Sequence, residues 1–366
     1  MSVTDLLSQN PFRLVRDLKS RLGDLDQRVA ALDGRVAAAA THEQVQSLLT
    51  IQSNTITESL NALNINLLVA SQDAATSLVE ASNKSLRELL NAMNADLLAY
   101  TERRLAELAE EYYELLMRSR RAAFAQNRSA GVLLGKADCA APPVRKDNAP
   151  ALEDVFASLA RRAPAAWPIF KQALDVGTRS YEGFPVGSCS VEGHREAERF
   201  GAFIMPYLRG YVLDVGCGPQ PVPSYLRDYP VALIRGIDPI SKPEDHPFEF
   251  ASAMAEDIPW RDASFDVVCS GTTLDHFFLL DVALKETRRV LKPGGHFVAW
   301  ISEAPGSAPY DPYRDDIVAA DEEHLFHIDR AWFLPMMHEL GFEEVEILAL
   351  SVPFKQLYMA FRKPDA

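Results

Sequence analysis

Cysteine is scarce in this 366-residue sequence: there are four, Cys139, Cys189, Cys217 and Cys269, and none lies in a Cys-x-x-Cys pair. That usage excludes a disulfide framework and a cysteine-rich zinc site, and it fits a reducing compartment. Positive charge is also short. Lys and Arg number 37 against 51 Asp and Glu, a net charge of -14. Phosphate contacts need a basic surface, so a general nucleic-acid binder and an anionic membrane surface are both poor partners. Long apolar runs are missing, so no transmembrane segment is expected. The opening MSVTDLLSQNPFRLV has neither the apolar core nor the cleavage site of a secretory leader. The expectation is a soluble, cytoplasmic protein.

Proline is absent from Leu14 to Ala125, and glycine is rare there. Leu18, Leu22, Leu25, Val29, Leu32 and Val36 follow one another at alternating spacings of four and three, a heptad seam. Thr41 and Gln44 read as a capping box that starts a new helix. A second seam runs Ile56, Leu60, Leu63, Leu67, Ala70 and Ala74. The frame slips before Leu86, Leu90, Met93, Leu97 and Tyr100, and Leu105, Leu108, Tyr112 and Leu115 extend the stripe. Two arrangements fit: an intermolecular coiled coil, making the protein a homo-oligomer, or a bundle folded back within one chain. Glu107, Glu110, Glu111 and Glu114 form a solvated face, and Arg118, Arg120 and Arg121 end the helix where cations complement its dipole.

The chain is longer than one ordinary domain needs. It divides into a helical region over 1–125, a linker over 126–150 rich in Gly, Pro and small polar residues, and a domain over 151–366 that restarts with the helical pattern LEDVFASLARR. With 48% apolar residues it has ample material for a core.

Chemistry concentrates in Tyr211-Val-Leu-Asp-Val-Gly-Cys-Gly-Pro219. Val212, Leu213 and Val215 suit a buried parallel strand, and Gly216 and Gly218 a tight turn closely approached by a ligand. A helix beginning near Ser224 would aim its N-terminus at that ligand. Nicotinamide enzymes share such a glycine pair, so the downstream register decides. Leu233 to Asp238 is a second strand ending in an acid that suits ribose hydroxyls. Then come AEDIPW (255–260), the strand SFDVVCS (264–270), Asp275-His276, a helix LKETRRVL (284–291), and a Lys292-Pro-Gly-Gly295 turn into the strand HFVAWI (296–301).

LDVGCGP, GIDP, AEDIPW, SFDVV and ETRRVLKPGG in this order resemble the class I S-adenosylmethionine-dependent methyltransferases, in particular their RVLKPGG-type subgroup, over roughly Gly193 to Lys363. The resemblance implies an α/β fold: a Rossmann-like, seven-stranded, doubly wound sheet, its last strand antiparallel, preceded here by the long α-helical (coiled-coil) region. It implies S-adenosylmethionine as cofactor. Asp214, Gly216 and Gly218 then line its methionine end, and Asp238 holds the ribose. Ile240 lies near the adenine, Ala255 and Glu256 meet the adenine edge, and Ser270 and Gly271 lie close to the methyl donor. Two positions depart from the pattern. Gln220 and Pro221 stand where a third glycine is common. Met254 stands where an aspartate commonly contacts adenine, leaving that contact to Glu256, Asp257 or a backbone carbonyl. Cys217 and Cys269 flank the site as small buried residues.

His276 is the candidate general base for a hydroxyl acceptor. Glu303 to Asp329 reads as the substrate-facing loop, with Tyr310, Tyr313, Arg314, Asp315 and Asp316. His324-x-x-His327 lacks a third spaced ligand, so no metal is expected. His194, Arg195 and Arg199 either cover the cofactor or lie on the surface. The functional expectation is methyl transfer to a hydroxyl of a bacterial glycan or surface-polysaccharide precursor. The alternatives are a small-molecule or lipid-precursor acceptor, or a coiled-coil scaffold whose cofactor domain is inactive.

Overall fold

The structure is a computed structural model that describes residues 80–129, 142–183, 191, 193–350 and 355–365, with scattered positions between 27 and 65. The chain divides into two compact units, Met1–Leu116 and Met117–Ala366. The first heptad seam, the Thr41–Gln44 capping box and most of the second seam lie outside the described residues.

Helix α1 runs unbroken over Glu80–Ser129. Within it Met93, Leu97 and Tyr100 are half-buried, and Leu108 and Tyr112 are buried, as the stripe predicts. Leu115 is exposed instead. The helix also does not stop at its arginines. Arg120 donates to both carboxylate oxygens of Glu346 (2.5 and 2.7 Å) and to the Phe203 carbonyl (2.7 Å). The Arg120 charge thus meets the Glu346 carboxylate rather than the carbonyls of a helix end.

Helices α2 (Leu152–Arg162), α3 (Trp167–Gly183) and α4 (Arg195–Ile204) precede the sheet. The strands are β1 (Val212–Val215), β2 (Ile234–Ile237), β3 (Glu249–Ala251), β4 (Phe265–Gly271), β5 (Leu291–Ser302), β6 (Glu343–Leu350) and β7 (Gln356–Arg362). They form one seven-stranded sheet in the order β3-β2-β1-β4-β5-β7-β6, with β7 antiparallel between β5 and β6. This is the Rossmann-like arrangement the sequence predicts. Helix α5 (Leu280–Val290) leads into β5, and α6 (Arg330–Glu339) precedes β6.

The central strands are buried on both faces, every residue of β1 included, as expected for parallel strands covered by helices. One core cluster joins α2 and α3 (Leu159, Phe170) to the sheet (Leu213, Val268, Phe297) and to α5 and α6 (Leu284, Phe333). The strand order reverses at β1, between β2 and β4. At such a switch point the adjoining loops part and leave a crevice at the carboxyl ends of the strands.

Two local expectations fail. No α-helix follows the Gly216–Gly218 turn; only a short 3-10 turn, Ser224–Leu226, forms. Pro230 lies only six residues after Ser224 and disfavours helical geometry in the residue before it, so the chain has room for little more than one turn. The Lys292–Gly295 segment is not a free turn before a strand but part of β5. The register shifts between the Phe265–Leu291 and Val267–His296 pairs, and the bulge takes up the extra residues, with Gly294 at a φ of +71°.

Part of the segment read as a linker makes specific contacts. Arg145 pairs with Trp260 as an isolated bridge, Lys146 forms an ion pair with Asp257 (2.7 Å), and Arg261 binds Asp147. Residues 145–147 are thus fastened to the edge of the sheet domain.

Candidate functional site

A cavity of about 270 Å³ opens at the switch point. Its floor is the end of β1 and the turn after it. Gly216 and Gly218 have φ of +76° and +70°, a region closed to most side chains. A Cβ on Gly216 would fall on the Thr273 side chain. The turn therefore brings bare backbone to the cavity, as a bound molecule there requires.

Asp238, just beyond β2, lies opposite. It is 3% exposed yet faces the cavity. Oδ1 accepts from the Ile240 and Ser241 amides (2.8 and 2.9 Å), and Oδ2 from Gly218 (3.1 Å). Burial raises its pKa, and the three amides oppose that rise. A carboxylate has about four acceptor sites, so capacity remains for a ligand hydroxyl. Asp238 also ties the β2 loop to the glycine turn, which the sequence reading does not anticipate.

Of the remaining predicted cofactor residues, Ile240, Ala255, Glu256 and Gly271 line the cavity. Asp214 and Ser270 do not; both are fully buried behind it. The Tyr225 hydroxyl donates to Asp214 Oδ2 (2.9 Å), while Oδ1 has no hydrogen-bond partner. Ser270 shares a hydrogen bond with Thr273, whose hydroxyl donates to the Val215 carbonyl (2.9 Å). Both therefore hold the turn in place. Met254 lines the cavity, and beside it Glu256 accepts from the Leu279 amide through Oε1 while Oε2 is unpartnered. Asp257 is occupied by Lys146 and does not line the cavity. Cys217 and Cys269 are free and fully buried, as expected. His194 caps α4, accepting from the Ala197 amide (3.3 Å), and buried Arg199 pairs with Glu196 (2.9 Å), so neither covers the cavity.

Burial raises the carboxyls of Asp214 and Glu256 to about 7, against the Tyr225 bond to the first and the Leu279 amide to the second. Their ordinary values are 3.8 and 4.5. Between those values and 7 the native state holds protons that the unfolded chain has released. Stability therefore falls as pH rises through that window. Thermal melts without ligand should decline from pH 5 to 7.5, by on the order of a few kcal/mol. Asp214→Asn should flatten the slope; an unchanged slope in that variant contradicts this assignment.

Sequence reasoning misses the wall opposite the sheet. Phe170, Ala173, Leu174, Gly177, Ser180 and Tyr181 of α3 all face the cavity. The signal is there: small residues at 173, 177 and 180 repeat at helical spacing. A Cβ on Gly177 would meet Ile240 Cδ1 at 3.1 Å. Gly177→Leu should fill the cavity from a helix that tolerates leucine. Ligand affinity should drop at least tenfold with little change in melting temperature, checked by calorimetry and thermal melts.

The other end of the cavity lies where β4 ends. Thr272 has a φ of +56°, a strained value for a β-branched residue. Its amide donates to the Trp300 carbonyl (2.7 Å), which fixes it. Thr272, Thr273 and His276 line this end together with Glu323 and His324 from the 303–329 loop. His324 does not pair with His327 against the cavity. Its ring lies over that of His276 (centroids 4.9 Å apart), and its Nδ1 contacts the Asp321 carboxylate at 2.8 Å. Burial opposes charge on His324, but Asp275 and Asp321 outweigh it and raise its pKa. Tyr310 donates to the Phe278 carbonyl and stacks on Phe326, while Tyr313 is 53% exposed and Arg314 pairs with Asp316. None of these three lines the cavity.

Residues 213–299 match the family described as methyltransferase domain. The demethylmenaquinone methyltransferase of Chlorobaculum parvum is 32% identical over 111 residues, 29% of this chain and 41% of that protein. The fatty-acid O-methyltransferase of Mycolicibacterium smegmatis is 35% identical over 96 residues, 24% of this chain and 35% of that protein. The chain thus spans half or less of the length of these relatives. Among solved structures, the 1,6-didemethyltoxoflavin-N1-methyltransferase of Burkholderia thailandensis, with bound S-adenosylhomocysteine, is 16% identical with a TM-score of 0.43, covering 61% of this chain and 95% of that one.

Proposed function

We propose that this protein is an S-adenosylmethionine-dependent methyltransferase that binds its cofactor between the Gly216–Gly218 turn and Asp238 and methylates a hydroxyl at the His276 end of the cavity. Its cofactor is S-adenosylmethionine. The observation that carries the reading is the bare-backbone turn beside a buried acid with acceptor capacity left, at the switch point of the sheet. Gly216 and Gly218 suit the methionine end, with Asp214 holding the turn in place from behind. Asp238 suits the ribose. Ile240, Ala255 and Glu256 suit the adenine, and Gly271 at the end of β4 the methyl group.

The cofactor supplies an electrophilic methyl, and the chain aligns an acceptor oxygen with it. His276, which lines that end of the cavity, is the candidate general base for that oxygen. Phe170, Leu174 and Phe277 give the cavity an apolar wall. That wall, and relatives named for menaquinone and fatty-acid chemistry, support a small-molecule or lipid-precursor acceptor. A glycan or surface-polysaccharide precursor is the second reading, favoured by the long α1 helix, which suits assembly of a homo-oligomer on an extended substrate. A cytoplasmic location fits both. Among the described residues no helix is long and apolar enough to cross a membrane.

Incubation with labelled S-adenosylmethionine and a panel of quinol, fatty-acid and nucleotide-sugar acceptors tests the reading. Label transfer to the apolar acceptors is expected; transfer to nucleotide sugars alone favours the glycan. Cofactor binding without transfer to any acceptor favours an inactive scaffold. Light scattering on the full chain tests the oligomer, and a strict monomer removes it.

A further inference from the structure

We propose that Asp275, His276 and His324 form a binding site for one divalent transition-metal ion at the acceptor end of the cavity. Two histidines and one carboxylate are a set that holds zinc, iron(II) or manganese while leaving positions open. The donor atoms of these side chains all lie within 4.8 Å of one another. Asp275 Oδ1 is 3.9 Å from His276 Nε2, and Oδ2 is 3.8 Å from His324 Nε2. A metal about 2.1 Å from each donor brings neighbouring donors to roughly 3.0–3.4 Å, so small side-chain rotations complete the set.

Two independent features point to a ligand there. Asp275 is 5% exposed, and its Oδ1 has no hydrogen-bond partner. Such a buried oxygen is costly unless something occupies it. Second, the His324 ring is oriented from behind. With Nδ1 engaged by Asp321, Nε2 faces Asp275 and His276. A carboxylate behind a histidine in this way fixes the tautomer that a metal needs. The backbone holds the two loops together, since the Leu325 amide donates to the Asp275 carbonyl (3.2 Å). His276 and His324 line the cavity, so the open positions of the ion face the acceptor. His327 stands apart, its Nε2 3.7 Å from Asp321.

The role of the ion rests on the methyl-transfer reading. An acceptor hydroxyl coordinated to it loses its proton to water more readily. The alkoxide oxygen then forms the new bond to the methyl carbon as the carbon–sulfur bond breaks, giving the methyl ether and S-adenosylhomocysteine. With the ion bound, His276 acts as a ligand rather than as a free base.

The test uses the full chain, stripped with EDTA and titrated with Zn²⁺ by calorimetry, and separately with Co²⁺ by visible absorption. The expected result is one Zn²⁺ per chain and cobalt bands typical of nitrogen ligation. His324→Ala should weaken Zn²⁺ at least a hundredfold and the isosteric Asp275→Asn at least tenfold, while His338→Ala leaves it unchanged. No binding by the wild-type chain, or equal binding by all variants, overturns the proposal. S-adenosylmethionine titrated into the same stripped protein should still bind. If it does not while Zn²⁺ does, the methyl-transfer reading fails and the metal site stands.

Discussion

Gly216→Val should abolish S-adenosylmethionine binding and destabilise the fold. The residue sits at a φ of +76°, where a β-branched side chain is strained. Left-handed geometry costs about 1–2 kcal/mol for a residue with a Cβ. The side chain would also overlap Thr273, whose hydroxyl bonds to Val215 and to Ser270. Overpacking of this kind adds about 1–3 kcal/mol. The turn cannot keep its shape, and the cofactor loses the backbone it lies on. Calorimetry should show no heat with the cofactor, and the melting temperature should fall. Near-normal affinity in this variant would mean that the cofactor lies elsewhere.

Asp238→Ala acts on the same pocket through a different bond set. The carboxylate accepts the Gly218, Ile240 and Ser241 amides and has capacity left for ribose hydroxyls. Losing charge-assisted bonds to a ligand costs about 1.5–3 kcal/mol, which is roughly a 10- to 150-fold loss of affinity. Asp238→Asn is the finer probe. Its side-chain oxygen can still accept an amide, so the loop is partly preserved, while the charge facing the ribose is gone. Cofactor affinity should fall in both variants, and the melting temperature more in Asp238→Ala. If both variants melt lower but bind the cofactor as the wild type does, Asp238 only ties the loops together.

The features legible in the sequence are those written in local pattern. The run Val212-Leu213-Asp214-Val215 followed by two glycines reads as a buried strand and tight turn, and it folds so. Ile234 to Asp238 reads as the neighbouring strand, and the pairing of Val215 with Ile237 sets the two acids at adjacent strand ends. The antiparallel last strand is not written in local pattern; it is expected only from the resemblance to the methyltransferase family, and β7 pairs antiparallel with β5 and β6.

What escapes is either overruled locally or assembled over distance. Pro230 cuts short, after one turn, the helix that the glycine turn suggests from Ser224. The arginines near residue 120 look like a helix end, but Arg120 finds Glu346 instead, a partner far along the chain. The α3 wall is hidden because nothing in its own residues says which face meets the cavity. The His324 pairing is missed for the same reason. Spacing suggests His327, whereas the loop after β4 supplies Asp275 and His276.

The central claim is that S-adenosylmethionine lies on the Gly216–Gly218 turn with its ribose on Asp238. A crystal of the full chain grown with S-adenosylhomocysteine measures this directly. The account predicts density for the nucleoside over that turn, with ribose oxygens within hydrogen-bond distance of the Asp238 carboxylate and the adenine between Ile240 and Ala255. An empty turn, or the nucleoside bound at another surface, would contradict it.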